Sequence, residues 1–207
     1  MNVETTAPGA VMQNVAFPQA LGEMLTQLRA AHVRYLPGLV SRLRTQNADV
    51  LAEGLAEVDD ARVFGGLLRF DAIATGPKVH DLQVAALPNV QHGMSIDVNY
   101  TPCAVIRFAW NECRVQARVD DERWNFALRA WLTTWLDPED RNPVDMLGLS
   151  NVVHSIRDLC VVDGMLSFNV DFGSAPIECF GELIGALVHA GASFVAIGEA
   201  ETLSRAS

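Results

Sequence analysis

The sequence predicts an α+β fold: N-terminal helices, an antiparallel sheet of five or more strands, and two helices packed on one face of that sheet. Apolar residues recur at helical spacing over residues 17–60, whereas apolar and polar residues alternate through most of residues 67–119. A shift of fifty-one residues overlays residues 105–136 on residues 156–187, which indicates a weak strand-strand-helix duplication. Half of the 207 residues are hydrophobic, so the chain can bury a substantial core.

We expect a tail over residues 1–16 and a single α+β domain over residues 17–207. The tail has small, mostly uncharged side chains and no apolar periodicity. Within the domain, residues 17–60 are predicted to be helical and residues 61–148 to form sheet and helix. Residues 149–207 are predicted to form a second unit of hairpin, helix and strand.

The N-terminal region is expected to form two helices. The first begins near Phe17 and ends at Pro37-Gly38, because proline interrupts a helix and glycine commonly ends one. The second runs from Leu39 to about Val58 with its apolar side chains on one face. These helices carry the basic patch of an otherwise acidic protein, formed by Arg29, Arg34, Arg42 and Arg44.

Alternation of apolar and polar residues predicts the strands of the sheet. If Asn111-Glu112 is a two-residue turn, the strands on either side pair with Phe108 opposite Val115. This register brings inward residues together and is therefore favoured. The predicted strands of this part cover residues 68–74, 82–86, 94–100, 104–110 and 113–119.

The rest of the chain is predicted to contain a helix over residues 122–136, an acidic loop, a hairpin, a last helix and a final strand over residues 192–198. Ser174 and Pro176 begin the last helix, and Gly191 ends it. Residues 149–157 fit a short helix as well as a strand. The hairpin turn is Asp163-Gly164, with Val161 opposite Leu166 and Leu159 opposite Phe168.

Composition and charge exclude several classes of protein. The 25 acidic and 15 basic side chains give a net charge of −10, which disfavours nucleic acid as a partner. The only lysine, Lys78, follows Gly76-Pro77 in a predicted turn. A P-loop needs its lysine after a glycine-rich loop, and a kinase needs one in a strand. We therefore expect no nucleotide cofactor, and no other cofactor is indicated.

The same features indicate a cytoplasmic protein that does not enter a membrane. Glu4 lies where a secretion signal would carry positive charge, and no apolar stretch follows it. The longest nearly uncharged run, residues 183–198, is too short to cross a bilayer. The four cysteines are widely spaced, so neither a disulfide framework nor a metal site is predicted.

Three tryptophans on one face of the predicted helix and the acidic loop after it form the candidate partner-binding surface. Aromatic side chains anchor many interfaces, although the same face would also pack on a sheet. The loop does not match an EF-hand, and a solvated turn is its simpler interpretation. The candidate partner-binding residues are Trp124, Trp131, Trp135, Asp137, Glu139, Asp140 and Asp145.

Three arginines are candidates for binding an anion. Arg107, Arg114 and Arg118 would converge on the polar face of the sheet if the predicted strands pair. Guanidinium groups suit carboxylate and phosphate ligands. A surface salt bridge between Arg107 and Asp97 is the simpler alternative.

The histidines show no zinc-binding motif. His154 lies close in sequence to Ser155, Asp158 and Cys160, but no nucleophile elbow or glycine-rich oxyanion loop accompanies them. No catalytic residue is therefore predicted.

The leading prediction is a non-catalytic, acidic protein-binding module of bacterial type, such as an adaptor, a chaperone-like protein or an immunity-like protein. Its partner is expected to be a protein, with a basic surface as one option. The alternative is a small enzyme or a protein that binds an anionic metabolite, using an arginine-lined cleft or a cleft lined by His154 and Cys160. A third option is a subunit of a larger assembly that docks through the basic helices.

Overall fold

The computed structural model describes residues 17–45, 49–74, 93–106 and 108–198. These residues form helices and a mostly antiparallel sheet, which confirms the α+β class. In chain order the elements are α1 (Gln19–Arg44), β1 (Val50–Glu57), β2 (Leu67–Ala74), β3 (Met94–Val98), β4 (Thr101–Val105), β5 (Cys113–Arg118), α2 (Arg123–Leu136), β6 (Ser155–Val162), β7 (Met165–Asp171), α3 (Glu178–His189) and β8 (Phe194–Gly198).

The strands form two sheets. A six-stranded sheet has the order β3-β4-β8-β5-β7-β6, and β1 pairs with β2 in a separate antiparallel sheet. In the larger sheet only β4 and β8 are parallel among the described pairs. Val195, Ala196 and Ile197 of β8 are all buried. Since successive residues point to opposite faces, β8 has no polar face and lies inside the sheet.

The predicted pairing of residues 104–110 with residues 113–119 is wrong, because β8 lies between β4 and β5. The chain leaves the sheet after Val105 and returns through a tight turn, where only Ala109 bridges to Glu112. Phe108 is buried outside any strand and stacks on Phe180 with ring centroids 5.6 Å apart. The alternating pattern thus identified the buried apolar residues correctly, but it did not identify which strands lie side by side in the sheet.

The prediction of two N-terminal helices is also wrong. Helix α1 continues through Pro37, and residues 50–57 are a strand. Leu36, Leu39 and other apolar residues on both sides of the proline are buried, so packing offsets the hydrogen bond that proline removes. Glycine is needed at position 54 of this strand, because a Cβ there would clash with Ile73 Cδ1 at 2.5 Å. The predicted tail over residues 1–16 and the predicted strand over residues 82–86 lie outside the described residues.

The second hairpin forms at Asp163-Gly164, and Val161 pairs with Leu166 as predicted. Leu159 does not pair with Phe168, because the register shifts between Arg157 and Cys160. Asp158 in this bulge has a positive φ of 53°. Residues 151–154 are irregular and β6 begins at Ser155, so the helical option for residues 149–157 is wrong.

One large core joins the inward side chains of the six-stranded sheet with those of α2, α3 and the first part of α1. Its centre is aromatic: Phe172 lies 4.8 Å from Trp110 and 5.7 Å from Phe180, measured between ring centroids. The predicted strand-strand-helix duplication forms only in part, as two strand-helix units, β5–α2 and β7–α3. Only the second unit is preceded by a paired hairpin strand.

Replacing Trp131 should test this core. The side chain is fully buried and its Nε1 donates to the carbonyl of Cys179 at 2.9 Å. We expect Trp131→Ala to lower the free energy of unfolding in urea by about 3–5 kcal/mol. Phe126→Ala is the control on the same helix, because Phe126 is 78% exposed, and it should change stability by less than about 0.5 kcal/mol. Equal losses in the two variants would contradict the packing described.

Candidate functional site

Five ionisable side chains from α1, the two sheets and the loop before β6 meet in the protein interior. We call them the buried charge cluster: His32, Glu53, Asp71, His154 and Asp171. Four of them are at most 5% exposed, and the side chain of Asp171 is 13% exposed. Charged groups are rarely buried unless they are paired, so the contacts within this cluster decide its chemistry.

His154 lies at the centre of the cluster. Its Nε2 is 3.0 Å from Glu53 Oε1, and its Nδ1 is 3.3 Å from Asp71 Oδ1 and 3.7 Å from Asp171 Oδ2. The backbone fixes the ring as well, since the His154 amide donates to the carbonyl of Asp171 at 2.9 Å. The His154 carbonyl accepts from the amide of Arg69 at 2.8 Å. This residue therefore connects the small sheet to the large one.

Glu53 also holds two loops in place. Its Oε2 accepts from the amide of Ser150 at 2.6 Å, and its Oε1 accepts from the amide of Ser174 at 3.2 Å. The backbone of Glu53 has a positive φ of 49°, uncommon for a residue with a side chain. Glu53 and Asp71 lie between the paired positions Ala52–Ala72 and Gly54–Phe70 of β1 and β2, and like charges so close repel each other. His154 lies near both carboxylates and supplies the opposite charge.

Gly173 allows His154 to approach the backbone. Its φ is +51°, and a Cβ at this position would lie 2.3 Å from His154 Cδ2 and 2.6 Å from the carbonyl oxygen of Val152. The Gly173 amide donates to Asp171 Oδ1 at 2.9 Å, and its carbonyl accepts from Trp110 Nε1 at 3.0 Å. Only glycine fits both the conformation and the space.

The electrostatics favour a protonated His154 between ionised carboxylates. Burial opposes a charge on His154, but the charge of Asp171 and the polar contacts with Asp171, Asp71 and Glu53 raise its pKa well above the ordinary value. Burial likewise opposes a charge on Glu53 and on Asp171, yet His154 holds the pKa of each below its usual range. His154, Glu53 and Asp171 therefore form an ion-pair network within the cluster.

His32 differs from His154. Burial lowers its pKa despite the carboxylates nearby, so the ring is neutral. Neither ring nitrogen has a hydrogen-bond partner among the described residues, and the nearest carboxylate oxygen, Asp71 Oδ1, is 3.9 Å from Nε2. Its ring centroid lies 6.3 Å from that of His154. His32 thus closes the cluster on the side of α1.

Two arginines fasten the surrounding elements to carbonyl groups. Arg69 is buried, and it donates to the carbonyls of Leu136, Glu53 and Asp137 at 2.7, 2.8 and 2.5 Å. It also pairs with Asp140 at 2.5 Å. Arg29 of α1 donates to the carbonyls of Ser174 and Ala175 and to Asn151 Oδ1. These bonds supply acceptors for both guanidinium groups and connect distant parts of the chain.

The cluster is not accessible to a substrate in solvent. His154 and Glu53 are each 1% exposed, and Asp171 is the member that borders a surface cleft, together with Glu112, Arg157 and Asp158. In the described ranges no group of three or more His, Cys, Asp or Glu side chains is arranged to hold a metal ion. The geometry supports a structural role for the cluster.

The predicted partner-binding tryptophans face mostly inward. Trp124 and Trp131 are buried in the core, and Trp135 is partly buried with its Nε1 bonded to Glu182 at 2.9 Å. The acidic loop is also organised by its own chain. Asp137 is buried and accepts from the amides of Arg141 and Asn142, and Glu139 pairs with Arg141.

The predicted anion site is described in part. Arg107 lies outside the described residues. Arg114 is partly buried and donates to Asn169 Oδ1 at 3.2 Å, whereas Arg118 is exposed on the same strand.

The described part of the structure does not contain the cleft that the sequence predicted as an alternative, lined by His154 and Cys160. His154 is buried, whereas Cys160 is exposed on β6. Asp158 bonds to Asn169 Nδ2, and Ser155 accepts from Arg157. Sequence reasoning did not single out Glu53, Asp71 or Asp171, because they lie far apart in the chain and form no motif. The available signal was an acidic residue inside an otherwise apolar segment, as at Glu53.

Comparison with known protein families, curated proteins and solved structures finds no match to this chain. Among the described helices, none is long and apolar enough to span a membrane.

Replacing His154 should reveal the ion-pair network. We expect His154→Gln to lower the free energy of unfolding by about 3–5 kcal/mol near pH 6, because it leaves buried carboxylates unpaired. Folding raises the pKa of His154, so its contribution is complete below the unfolded value of about 6.5 and is lost as the pH rises through the folded value. The difference between wild type and variant should therefore narrow at alkaline pH.

Urea unfolding of wild type and variant at several pH values measures this difference. The contribution of His32 to the pH dependence has the opposite sign, and it cancels in the difference because both proteins contain His32. His189→Gln is the control, since His189 is exposed near the end of α3. Glu53 and Asp171 have lowered pKa values, so their contribution is present above about pH 4 and is lost on further acidification. A His154→Gln effect that is the same at every pH would contradict the network.

A pair of glycines separates backbone strain from crowding at His154. Gly173 and Gly148 both have positive φ, 51° and 82°, but a Cβ on Gly148 would meet nothing within 4 Å. Gly148→Ala should therefore report strain alone. We expect Gly173→Ala to cost at least about 2 kcal/mol more in urea unfolding, because His154 must move from its partners. Equal costs would show that the close approach does not matter.

Proposed function

We propose that this protein is a non-catalytic protein-binding module that acts in the cytoplasm, of the adaptor, chaperone-like or immunity-like kind. The observation that carries the proposal is a group of exposed apolar side chains on a loop held by hydrogen bonds. We call residues 144–147 the apolar loop. Val144, Met146 and Leu147 are 62%, 104% and 53% exposed. Exposed apolar groups close together in the chain are typical of interaction sites.

The backbone around the apolar loop is held by specific hydrogen bonds. Asp145 Oδ1 accepts from the amides of Leu147 and Leu149 at 2.8 and 3.0 Å. The Asp145 amide donates to the carbonyl of Leu149 at 2.8 Å. Leu149 is buried against Val33 and Leu36 of α1. A partner that binds this loop would meet a preorganised surface and so avoid most of the entropic cost of ordering it.

The carboxylates beside the apolar loop give weaker support for a basic partner. Asp137 and Asp145 accept from backbone amides, and Asp140 pairs with the buried Arg69. Glu139 pairs with Arg141 on the surface. Because the chain already provides partners for these groups, the apolar side chains rather than the charges support the proposal.

The alternative of a small enzyme or an anion-binding protein has less support. His154 and Glu53 are buried, Cys160 is apart from His154 in environment, and Arg114 already bonds to Asn169. A catalytic base must lie within hydrogen-bond reach of its substrate, and the buried side chains of His154 and Glu53 are not exposed to a substrate in solvent.

Site-specific photo-crosslinking tests the proposed surface. A benzoylphenylalanine at Met146 should give a discrete covalent adduct with a partner protein in the cells that naturally produce this chain. The same probe at Tyr100 is the control, because Tyr100 is equally exposed but lies in the turn between β3 and β4. Adducts at both positions, or at neither, would contradict the proposal.

Once the adduct identifies the partner, titration calorimetry with purified proteins gives the contribution of the loop. We expect Met146→Ser combined with Leu147→Ser to weaken binding at least about tenfold, and Tyr100→Ser to leave it unchanged.

A further inference from the structure

A shallow groove runs between the second half of α1, strand β1 and the end of the apolar loop. We call it the arginine groove; its lining includes Pro37, Val40, Ser41, Arg44, Ala52 and Leu147. Val40 is almost fully buried and forms part of the base, whereas Leu147 is half exposed and forms part of one wall. The groove thus continues the surface on which the proposed function depends.

The helix wall of the groove is positively charged. Arg34, Pro37, Ser41 and Arg44 follow each other at intervals of three or four residues, so they share one face of α1. Arg34 and Arg44 are both exposed. They are ten residues apart, which places them about 15 Å apart along the helix. Among the described residues, Arg44 donates to the carbonyl of Val50 at 3.3 Å, and a guanidinium group has five N–H donors in all.

Two acidic residues lie near the groove, Asp49 before Val50 and Asp145 before the loop wall, and neither is in its described lining. After Glu23, α1 contains no acidic residue, and the described lining of the groove contains none. Asp145 precedes the loop wall, but its Oδ1 already accepts from the amides of Leu147 and Leu149. An apolar base with a cationic wall is therefore a local exception on a chain of net charge −10.

We propose that the arginine groove binds an acidic, amphipathic segment of a partner protein. The segment places apolar side chains against Val40 and Leu147 and carboxylates against Arg34 and Arg44. Charge complementarity decides in favour of this occupant. A second copy of the chain carries the same charge of −10, and a nucleic acid would meet only a few cations on an acidic molecule. This inference rests on the proposed function and specifies the chemistry of the partner.

Selection from a random peptide library displayed on phage, with the full-length protein immobilised, tests the inference. We expect the enriched peptides to combine Asp or Glu with large apolar residues. The affinity of the synthetic peptides, measured by fluorescence anisotropy, should fall as salt increases. Peptides rich in Lys or Arg, or the absence of any enrichment, would overturn the inference.

Two variants locate the binding. Ser41→Trp fills the groove from an exposed position, and Arg34→Glu with Arg44→Glu reverses its charge. Each should weaken peptide binding at least tenfold. Arg62→Glu is the control, because Arg62 is 75% exposed and pairs with Asp60 away from the groove, and it should change affinity less than twofold. Unfolding in urea verifies that each variant is folded. Equal binding to all variants would overturn the inference.

The outcomes separate this inference from the proposed function. An adduct at Met146 that persists in Ser41→Trp, without enrichment of acidic peptides, would retain a protein-binding module and reject the groove. If neither adduct nor peptide is found, both proposals fail. Light scattering that shows self-association abolished by Ser41→Trp would assign the groove to a second copy and overturn the acidic partner.

Discussion

His154 lies inside this protein among carboxylates from three strands, which raise its pKa well above the ordinary value despite the opposing effect of burial. Glu53 belongs to β1, Asp71 to β2 and Asp171 to β7, and their contacts with the imidazole span 3.0 to 3.7 Å. Without the histidine these carboxylates would repel one another in a medium of low dielectric. His154 therefore helps to hold the small sheet on the large one, together with the bonds of Arg69 to three carbonyls. Backbone bonds from the Phe64 amide to the Ile156 carbonyl and from the Asp158 amide to the Arg62 carbonyl join the same parts of the chain.

This constraint reaches the surface that we propose for recognition. Glu53 accepts from the amide of Ser150, and Leu149 beside it packs on α1. The same segment forms the wall of the arginine groove and follows the apolar loop. The buried charge cluster thus connects α1, β1 and the loop, and the partner that we propose would meet a surface already in shape.

The sequence predicted those elements whose structure depends on residues close together in the chain. Asp163-Gly164 forms the expected hairpin, and the helix with the tryptophans lies where its spacing indicated. Features that depend on distant residues were missed. Strand β8 lies between β4 and β5 and is buried on both of its faces. A short apolar run in the sequence does not reveal which strands will lie beside it. The apolar residues within 50–57 also fit helical spacing, so the strand was not predicted. Burial of Leu36 and Leu39 keeps α1 continuous at Pro37.

The candidate site could be predicted least well. His154 and Glu53 are 101 residues apart in the chain, so no motif spacing brings them together, and alternation assigned Asp71 to the solvent. Titration of the histidine side-chain nitrogens by NMR tests directly whether His154 is protonated among its carboxylates. We predict that both ring nitrogens of His154 keep the chemical shifts of an imidazolium at neutral pH and well above the ordinary titration range near 6.5. A His154 ring that is neutral at pH 7 would contradict this prediction.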